Sequence, residues 1–445
     1  MSIQAIEVKN FRLLKNIKVP LKKINLIWGQ NGSGKTTLTE AIYFLKQTMN
    51  THIKFPILGD NLFTIGFGDF EDIISYKKTQ DKITIGITIS MTNKFKEKIN
   101  NDFDLINNAF INYDIGYHIS SMGNNITYII EFFEKDEIIL SKVSYYIDNI
   151  FLIGIDVVDN GNGHSFIPNE LLNNDKSFRL HYGSFNLVSN LSIVQQGHYP
   201  GLEIMFVNLV NEMNREFQSV LKKYYLIKTN RSLIPIYKET KNLPEWIGLE
   251  GNYSIEFLSH IWGNKKYDKI KSKISYWANE FGLSDLNAGW YNANLLHANF
   301  KDKITNDFYN LSFAGTGSRQ LVPIITQLFY SEKGSTIVIE EPEISLSIDW
   351  QIKFIEMIFE AIKDDKQIIM TTHSPDFLPI LGTFLKSHNE LIKDTIIYQM
   401  EYKSETGSLI EELPISKKGN IKYPDYIKNS QNKLLDNYLN NIKEE

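Results

Sequence analysis

Eight consecutive residues, Gly29-Gln30-Asn31-Gly32-Ser33-Gly34-Lys35-Thr36, fit the spacing G-x-x-x-x-G-K-[ST]. Glycines without a Cβ let successive backbone N–H groups curl around phosphate oxygens. A helix beginning near Lys35 would point the positive end of its dipole at them. Lys35 would bridge the β- and γ-phosphates of a nucleotide, and Thr36 would offer its hydroxyl to Mg²⁺. Far downstream, "STIVIEEPE" (Ser335 to Glu343) runs three β-branched residues straight into Glu340 and Glu341. A buried strand that delivers acids at its C-terminal end sets them beside a phosphate loop in an α/β sheet. Glu340 would then hold Mg²⁺ through water, and Glu341 would orient or deprotonate the attacking water. Two acids after a strand are otherwise a common solvated turn, and it is the upstream loop that gives them weight. His373 ends the β-rich run "IIMTTHS", where an imidazole can reach a γ-phosphate; the other eight histidines show no ligand spacing.

A fourth stretch, "NLSFAGTGSRQLVPIITQL" (Asn310 to Leu328), turns through Ser and Gly into a helical pattern at Leu321, Ile324, Ile325 and Leu328. It is a second anion-binding helix start. Two of them in one chain make sense if this one meets a nucleotide held by a partner subunit.

The elements that must position these residues follow from periodicity. "AIEVKNF" and "INLIWG" read as strands, and after Gly34 the apolar residues Leu38, Ala41, Ile42 and Leu45 fall on one helix face. The phosphate loop therefore lies between a strand and a helix. From about Lys82 to Val158, four strand-like runs broken by "MGNN" and "NGNG" read as an antiparallel meander. From about Leu202 to Phe281 the period turns helical. Strands are then expected at 336–341, 367–374 and 394–402, alternating with helices as in an α/β sheet. The predicted organisation is a discontinuous head built from residues 1–160 (loop and meander) and 305–445 (Ser/Gly turn, acids and histidine), interrupted by a mostly helical insertion at 161–304.

Composition bounds the function. With 445 residues, 42% hydrophobic and 22% charged, the chain can bury a sizeable core. Its formal net charge of −5 means that any nucleic-acid contact must come from a local basic patch. The absence of cysteine excludes disulfides and thiolate zinc sites. No apolar leader and no run of eighteen apolar residues is present, so a cytoplasmic protein with no membrane partner is expected. Two basic stretches mix lysine with aromatics: "LKKYYLIKTNR" (Lys222, Lys223, Lys228, Arg231) and "NKKYDKIKSKISYW" (Lys265 to Lys273). Either could grip phosphates and stack bases. A solvated helix face is the favoured reading of both.

The order of phosphate loop, Ser/Gly turn, strand with Glu-Glu and strand with His resembles the ABC-type ATPase heads of SMC, RecF and related proteins. "NFRLLKNIKVPL", containing Arg12, is similar to their Asn-Phe-Arg opening. "FGDFEDII" (67–74), "GTGSRQLVPII" (315–325), "EEPEISLSIDWQ" (340–351) and "TTHSPDFL" (371–378) look more specifically like the OLD-like group. That group includes ATPase components of bacterial anti-phage systems such as Septu, Gabija and PARIS. The resemblance implies an α/β P-loop ABC-type head with an antiparallel β subdomain, and hydrolysis of ATP with Mg²⁺. It implies a homodimer or higher homo-oligomer in which two ATPs are sandwiched head to tail. The nucleotide set would be Arg12, Gly29, Asn31, Gly32, Ser33, Gly34, Lys35, Thr36 and Thr37 of one subunit, with Gly315, Gly317 and Ser318 of the other. Ser312 is the rival to Ser318. Thr36 and Glu340 would hold the metal, Glu341 would be the catalytic carboxylate and His373 the switch histidine. Asp69 and Asp72 are weak candidates for the role of a glutamine that the sequence does not show.

OLD-like nucleases need a later Asp-x-Asp, and the chain has only Asp102-Phe103-Asp104, beside the meander. Any cutting is therefore expected of a separate effector, a nuclease or toxin gated by this ATPase. Direct clamping of duplex DNA, as by a RecF-like protein, and a nucleotide-locked scaffold are the other readings.

Overall fold

The structure is a computed structural model that describes residues 2–48, 57–59, 61–98, 124–135, 138–148, 150–157, 163–166, 179–182, 200–231, 235–239 and 242–422. The Asp102-Phe103-Asp104 triplet lies outside the described residues.

Eighteen strands form three sheets among these residues. The first is antiparallel: β1 (Ile3–Phe11) and β2 (Leu14–Pro20) join β4 (Ile83–Ser90), β5 (Asn125–Lys135), β6 (Ile138–Ile147), β7 (Ile150–Val157), β8 (Gly163–Phe166) and β9 (Arg179–Tyr182) in the order β2-β1-β4-β5-β6-β7-β8-β9. The predicted meander is its run from β4 to β7, with β8 and β9 continuing it past residue 160.

The second sheet holds the strands that lead into the phosphate loop, the paired acids and His373. It orders β10 (Tyr224–Ile227), β15 (Thr336–Glu340), β16 (Gln367–Thr372), β3 (Ile24–Gly29), β17 (Thr395–Lys403) and β18 (Gly407–Glu412), and every pair except β17–β18 is parallel. β3, β15 and β16 are buried along their whole length. Such unbroken apolar runs mark strands covered on both faces. The third sheet is small: β11 (Lys238–Glu239), β12 (Ser284–Trp290), β13 (Leu295–Lys301) and β14 (Phe308–Asn310). The fold class is the expected one, an α/β P-loop core with an antiparallel β subdomain.

Helix α1 (Lys35–Thr48) lies between the two large sheets, touching β1 and β4 on one side and β3 and β10 on the other. Phe44 on α1 meets Phe11, Phe67 and Phe132 edge-on at 5.9, 5.1 and 5.5 Å, which anchors it to the antiparallel sheet. Helices α2 (Pro200–Lys222), α3 (Ser254–Trp262) and α4 (Asp268–Glu280) occupy the stretch read as helical. That stretch is not helical throughout: β10 interrupts it and belongs to the catalytic sheet, and β11 to β13 also lie between 161 and 304. The helical period of α2 runs directly into β10 with only Lys223 between them, so periodicity alone carries no break there. Helices α5 (Thr316–Tyr330), α6 (Ile348–Ile362) and α7 (Phe377–Ser387) complete the head. No described helix is long and apolar enough to cross a membrane.

The Gln367 side chain links the two large sheets. The buried Gln367 amide accepts from Ile3 N (3.1 Å) and Thr336 Oγ1 (3.0 Å), and donates to Ile3 O (2.7 Å) and Lys22 O (2.8 Å). Replacing it with leucine would strand the buried Ile3 groups, at a cost of about 1–3 kcal/mol for each unsatisfied group. We expect Gln367→Leu to lower the urea midpoint without changing the slope of the transition; an unchanged midpoint would refute the link.

Candidate nucleotide and hydrolysis site

The phosphate loop is shaped before any ligand arrives. Gly32 and Gly34 take φ of 76° and 100°, which residues with a Cβ adopt only under strain. At Gly29 a Cβ would lie 2.2 Å from the Met400 carbonyl oxygen, so the neighbouring strand β17 itself requires glycine there. Asn31, Gly32 and Thr36 are exposed at the turn, while Ser33, Lys35 and Thr37 are buried. Lys35 Nζ donates to the loop's own carbonyls, Gly29 O at 2.8 Å and Gln30 O at 2.9 Å. Ser33 Oγ is buried with no hydrogen-bond partner. An orphaned donor, a cradle of glycines and a helix N-terminus suit a polyphosphate.

The acids arrive as expected, at the end of β15. Glu340 is 3% exposed, and its Oε1 accepts from Thr39 Oγ1 on α1 at 3.2 Å. Burial raises its carboxyl to about 7, with Glu40 adding to the rise and Lys228 and Thr39 opposing it. A dication would relieve that cost. The hard oxygens of Thr36 and Glu340 fit Mg²⁺, which keeps several waters and takes few protein ligands. Glu341 ends the strand in a left-handed conformation, φ 45°, and its N–H donates to Thr371 O at 2.8 Å. This turn brings Glu341 Oε1 to 3.0 Å from His373 Nδ1. The two predicted catalytic residues, 32 positions apart in sequence, thus form one pair. Burial lowers the Lys35 ammonium, and Glu341, Glu343 and Glu340, in that order, oppose the shift. All three carboxylates therefore lie within electrostatic reach of the phosphate-loop lysine.

Other predicted residues stand apart. Arg12, itself at φ 49°, pairs with Glu40 on the second turn of α1 at 2.7 Å rather than with the loop. Asp69 caps the short helix Phe70–Ile73, in which Asp72 Oδ2 accepts from Asp69 N at 2.9 Å. In the Ser/Gly turn, Gly315 and Thr316 are exposed at the start of α5. Gly317 is buried, and a Cβ there would sit 2.5 Å from Ser345 O. Ser318 requires a correction: it is buried, and its hydroxyl donates to Phe281 O at 2.9 Å, so it faces the core and not the surface. Ser312, the rival, is half-buried, and its N–H is held by Asn310 Oδ1 at 3.1 Å.

Sequence reasoning also missed residues. Glu343 is buried, with Oε1 bonded to Thr372 Oγ1 and lying 4.0 Å from His373 Nδ1, while its Oε2 is unpartnered. Its place three residues after Glu340 was the available clue. Lys228 pairs with Glu40 at 2.7 Å, and Arg231 is 5% exposed. The reading of "LKKYYLIKTNR" as a solvated helix face is thereby overturned, because a buried strand and the turn after it carry Lys228 and Arg231 into the site. The second basic stretch matches the solvated reading better: Lys265, Lys266 and Lys269 are exposed, and Lys273 pairs with Asp364 at 2.7 Å.

Glu340 supplies a pH test. Below its unfolded value of 4.5 the carboxyl is protonated in folded and unfolded chains alike. As pH rises toward 7 the unfolded chain loses the proton first, so stability falls through that window, by up to about 3 kcal/mol. Metal-free protein should melt lower at pH 8 than at pH 5, and Glu340→Gln should flatten that difference. An equal slope in the two proteins would remove Glu340 as its source.

The chain is similar to several known proteins. An ATP/GTP phosphatase of Helicobacter pylori is 23% identical over 390 residues, 86% of this chain and 88% of that one. RecF, a DNA replication and repair protein, from Shewanella baltica is 50% identical over 64 residues, which cover 14% of this chain and 18% of RecF. Among solved structures, an SMC head bound to the C-winged helix domain of ScpA aligns over 94% of this chain and 99% of that one, at 13% identity and a TM-score of 0.48. A family model described as an AAA ATPase domain matches residues 1–378. The match takes in the phosphate loop, both acids and His373, and the chain belongs to the AAA ATPase domain family.

Proposed function

We propose that the chain is an Mg²⁺-dependent ABC-type ATPase that closes head to tail around ATP and signals that closure to a separate partner protein. The observation that carries the reading is the Glu341–His373 pair at 3.0 Å, with Lys35, Glu340 and Glu343 grouped around it. Mg²⁺, held by Thr36 and Glu340, would neutralise charge on the phosphates. The backbone amides from Gly29 to Gly34, with the Asn31, Ser33 and Thr37 positions, would cradle them. Lys35 would exchange its two loop carbonyls for phosphate oxygens. Glu341 would accept the proton of the attacking water. With that carboxylate ionised, His373 Nδ1 carries the hydrogen of their bond. The Nε2 edge of the ring would be left to meet the γ-phosphate.

Head-to-tail closure is supported by the exposed start of α5. Gly315 and Thr316 lie at the surface, beside an apolar rim of Phe313 (67% exposed) and Ile348 (59%). Gly315 and Ser312, in place of the inward Ser318, would approach the partner's nucleotide, and 345–349 would cross the interface. The likeness of the 67–74, 315–325, 340–351 and 371–378 stretches to OLD-like proteins supports an anti-phage setting with a separate effector. The local match to RecF supports a second reading, direct clamping of duplex DNA.

Glu341→Gln should retain ATP binding and lose about 100-fold or more in kcat. In Mg²⁺-ATP its solution mass should double; a mass that never changes would defeat the sandwich. Strong stimulation of the wild-type ATPase by bare duplex DNA would favour the RecF-like reading over the effector gate.

A further inference from the structure

Arg231 stands in the turn after β10, more than a hundred residues before the acids, and nothing in the phosphate-loop chemistry calls for it. Yet its guanidinium is buried against them. Nη1 donates to Glu340 O at 3.0 Å and to Lys228 O at 3.1 Å; Nη2 donates to Glu341 O at 3.1 Å and lies 3.4 Å from Gln320 Oε1. Gln320 is on the first turns of α5, the helix that opens at the exposed Gly315. Arg231 is thus a polar connection between α5 and the backbone that carries the acids.

We infer that Arg231 is a positioning residue that sets the Glu340–Glu341 turn and couples it, through Gln320, to the helix carrying the Ser/Gly turn. Three observations combine in this assignment. The two carbonyls it grips lie on either side of the Glu341 Cα, and the φ of 45° at Glu341 is costly for a residue with a side chain and must be held by its surroundings. A fork of parallel donors suits adjacent carbonyls, and a single ammonium cannot reproduce it. Burial pulls the guanidinium down to about 10, opposed by Glu343, Glu340 and Glu341, so it stays charged at neutral pH and balances the acids. A small displacement of α5 would move Gln320, then Arg231, then the carbonyl of Glu341 and the carboxylate behind it. Contact at the outer turn would thereby reset the geometry of hydrolysis in the same chain.

The inference rests on Glu341 being the hydrolytic carboxylate. Glu341→Gln tests that reading alone, so the two ideas fail separately. For Arg231 the measurements are ATP-analogue affinity, steady-state kcat and KM, and melting temperature of the full chain carrying Arg231→Lys or Gln320→Ala. We expect Arg231→Lys to bind nucleotide within about threefold of wild type and to lose about 10- to 100-fold in kcat. Gln320→Ala leaves the carbonyl grip intact and should lose about 3- to 10-fold in kcat at unchanged affinity and melting temperature. Wild-type kcat in either variant overturns the inference. So does an Arg231→Lys protein that loses affinity, kcat and stability together, since that is a purely structural role. If Arg231→Lys does not fold, Gln320→Ala decides.

Discussion

The carboxylate of Glu40 is the constraint on which the head is built. Helix α1 must be enclosed between two sheets to be held firmly, yet its first turn must stay open to a ligand. Enclosing it buries Glu40, which is 5% exposed, and a buried carboxylate without partners is too costly to keep charged. Its two oxygens are taken by Arg12, from the turn after β1, and by Lys228, from the turn after β10, each at 2.7 Å. One ion-pair triad therefore joins the antiparallel sheet, the phosphate-loop helix and the edge of the catalytic sheet. Removing either cation would leave the other charges buried and uncompensated, which is the expensive way to break such a group.

The same turns then serve the chemistry. Lys228 neutralises Glu40 and also bears on Glu340, whose carboxyl would climb further without it. Tyr224, wholly buried at the start of β10, donates from its hydroxyl to Thr39 O, and Thr39 in turn donates to Glu340. Glu340 is thus positioned by α1 and β10, while Glu341 is met on its other side by His373. Two acids adjacent in sequence are divided between two environments, one dry and one partly open. Burial raises the carboxyl of the first, Glu340, while the second, Glu341, reaches His373.

How much of this could be read in the sequence depended on whether the determinants were local. The phosphate loop, the α1 face and the β-branched run into Glu340 are each contained in a dozen residues, and each appears where its pattern put it. His373 was legible because the run before it reads as a strand, and strands of an α/β sheet end at one edge. Ser318 was misread because its direction depends on Phe281, whose carbonyl it meets only after α4 packs on α5. Arg231 and Lys228 were misread because β10 is four residues long and follows a 23-residue helix. A short strand covered on both faces has no periodicity of its own, and its identity comes from pairing with β15.

Strand order in the catalytic sheet has a consequence for how the protein is made. β3, which leads into the phosphate loop, pairs with β16 on one side and β17 on the other: Ile24 faces Ile368 and Thr395. At roughly 5–20 residues per second, the ribosome delivers those partners tens of seconds after β3 has emerged. For that interval an apolar strand with two open edges, and a glycine turn with nothing to hold it, must be kept from pairing with other chains. The antiparallel strands β1, β2 and β4 to β7 are all synthesised by residue 157 and can shelter one face of α1 meanwhile. The strand leading into the phosphate loop therefore gains both of its sheet partners only after β17 has been synthesised, so the motif is made long before the sheet that frames it.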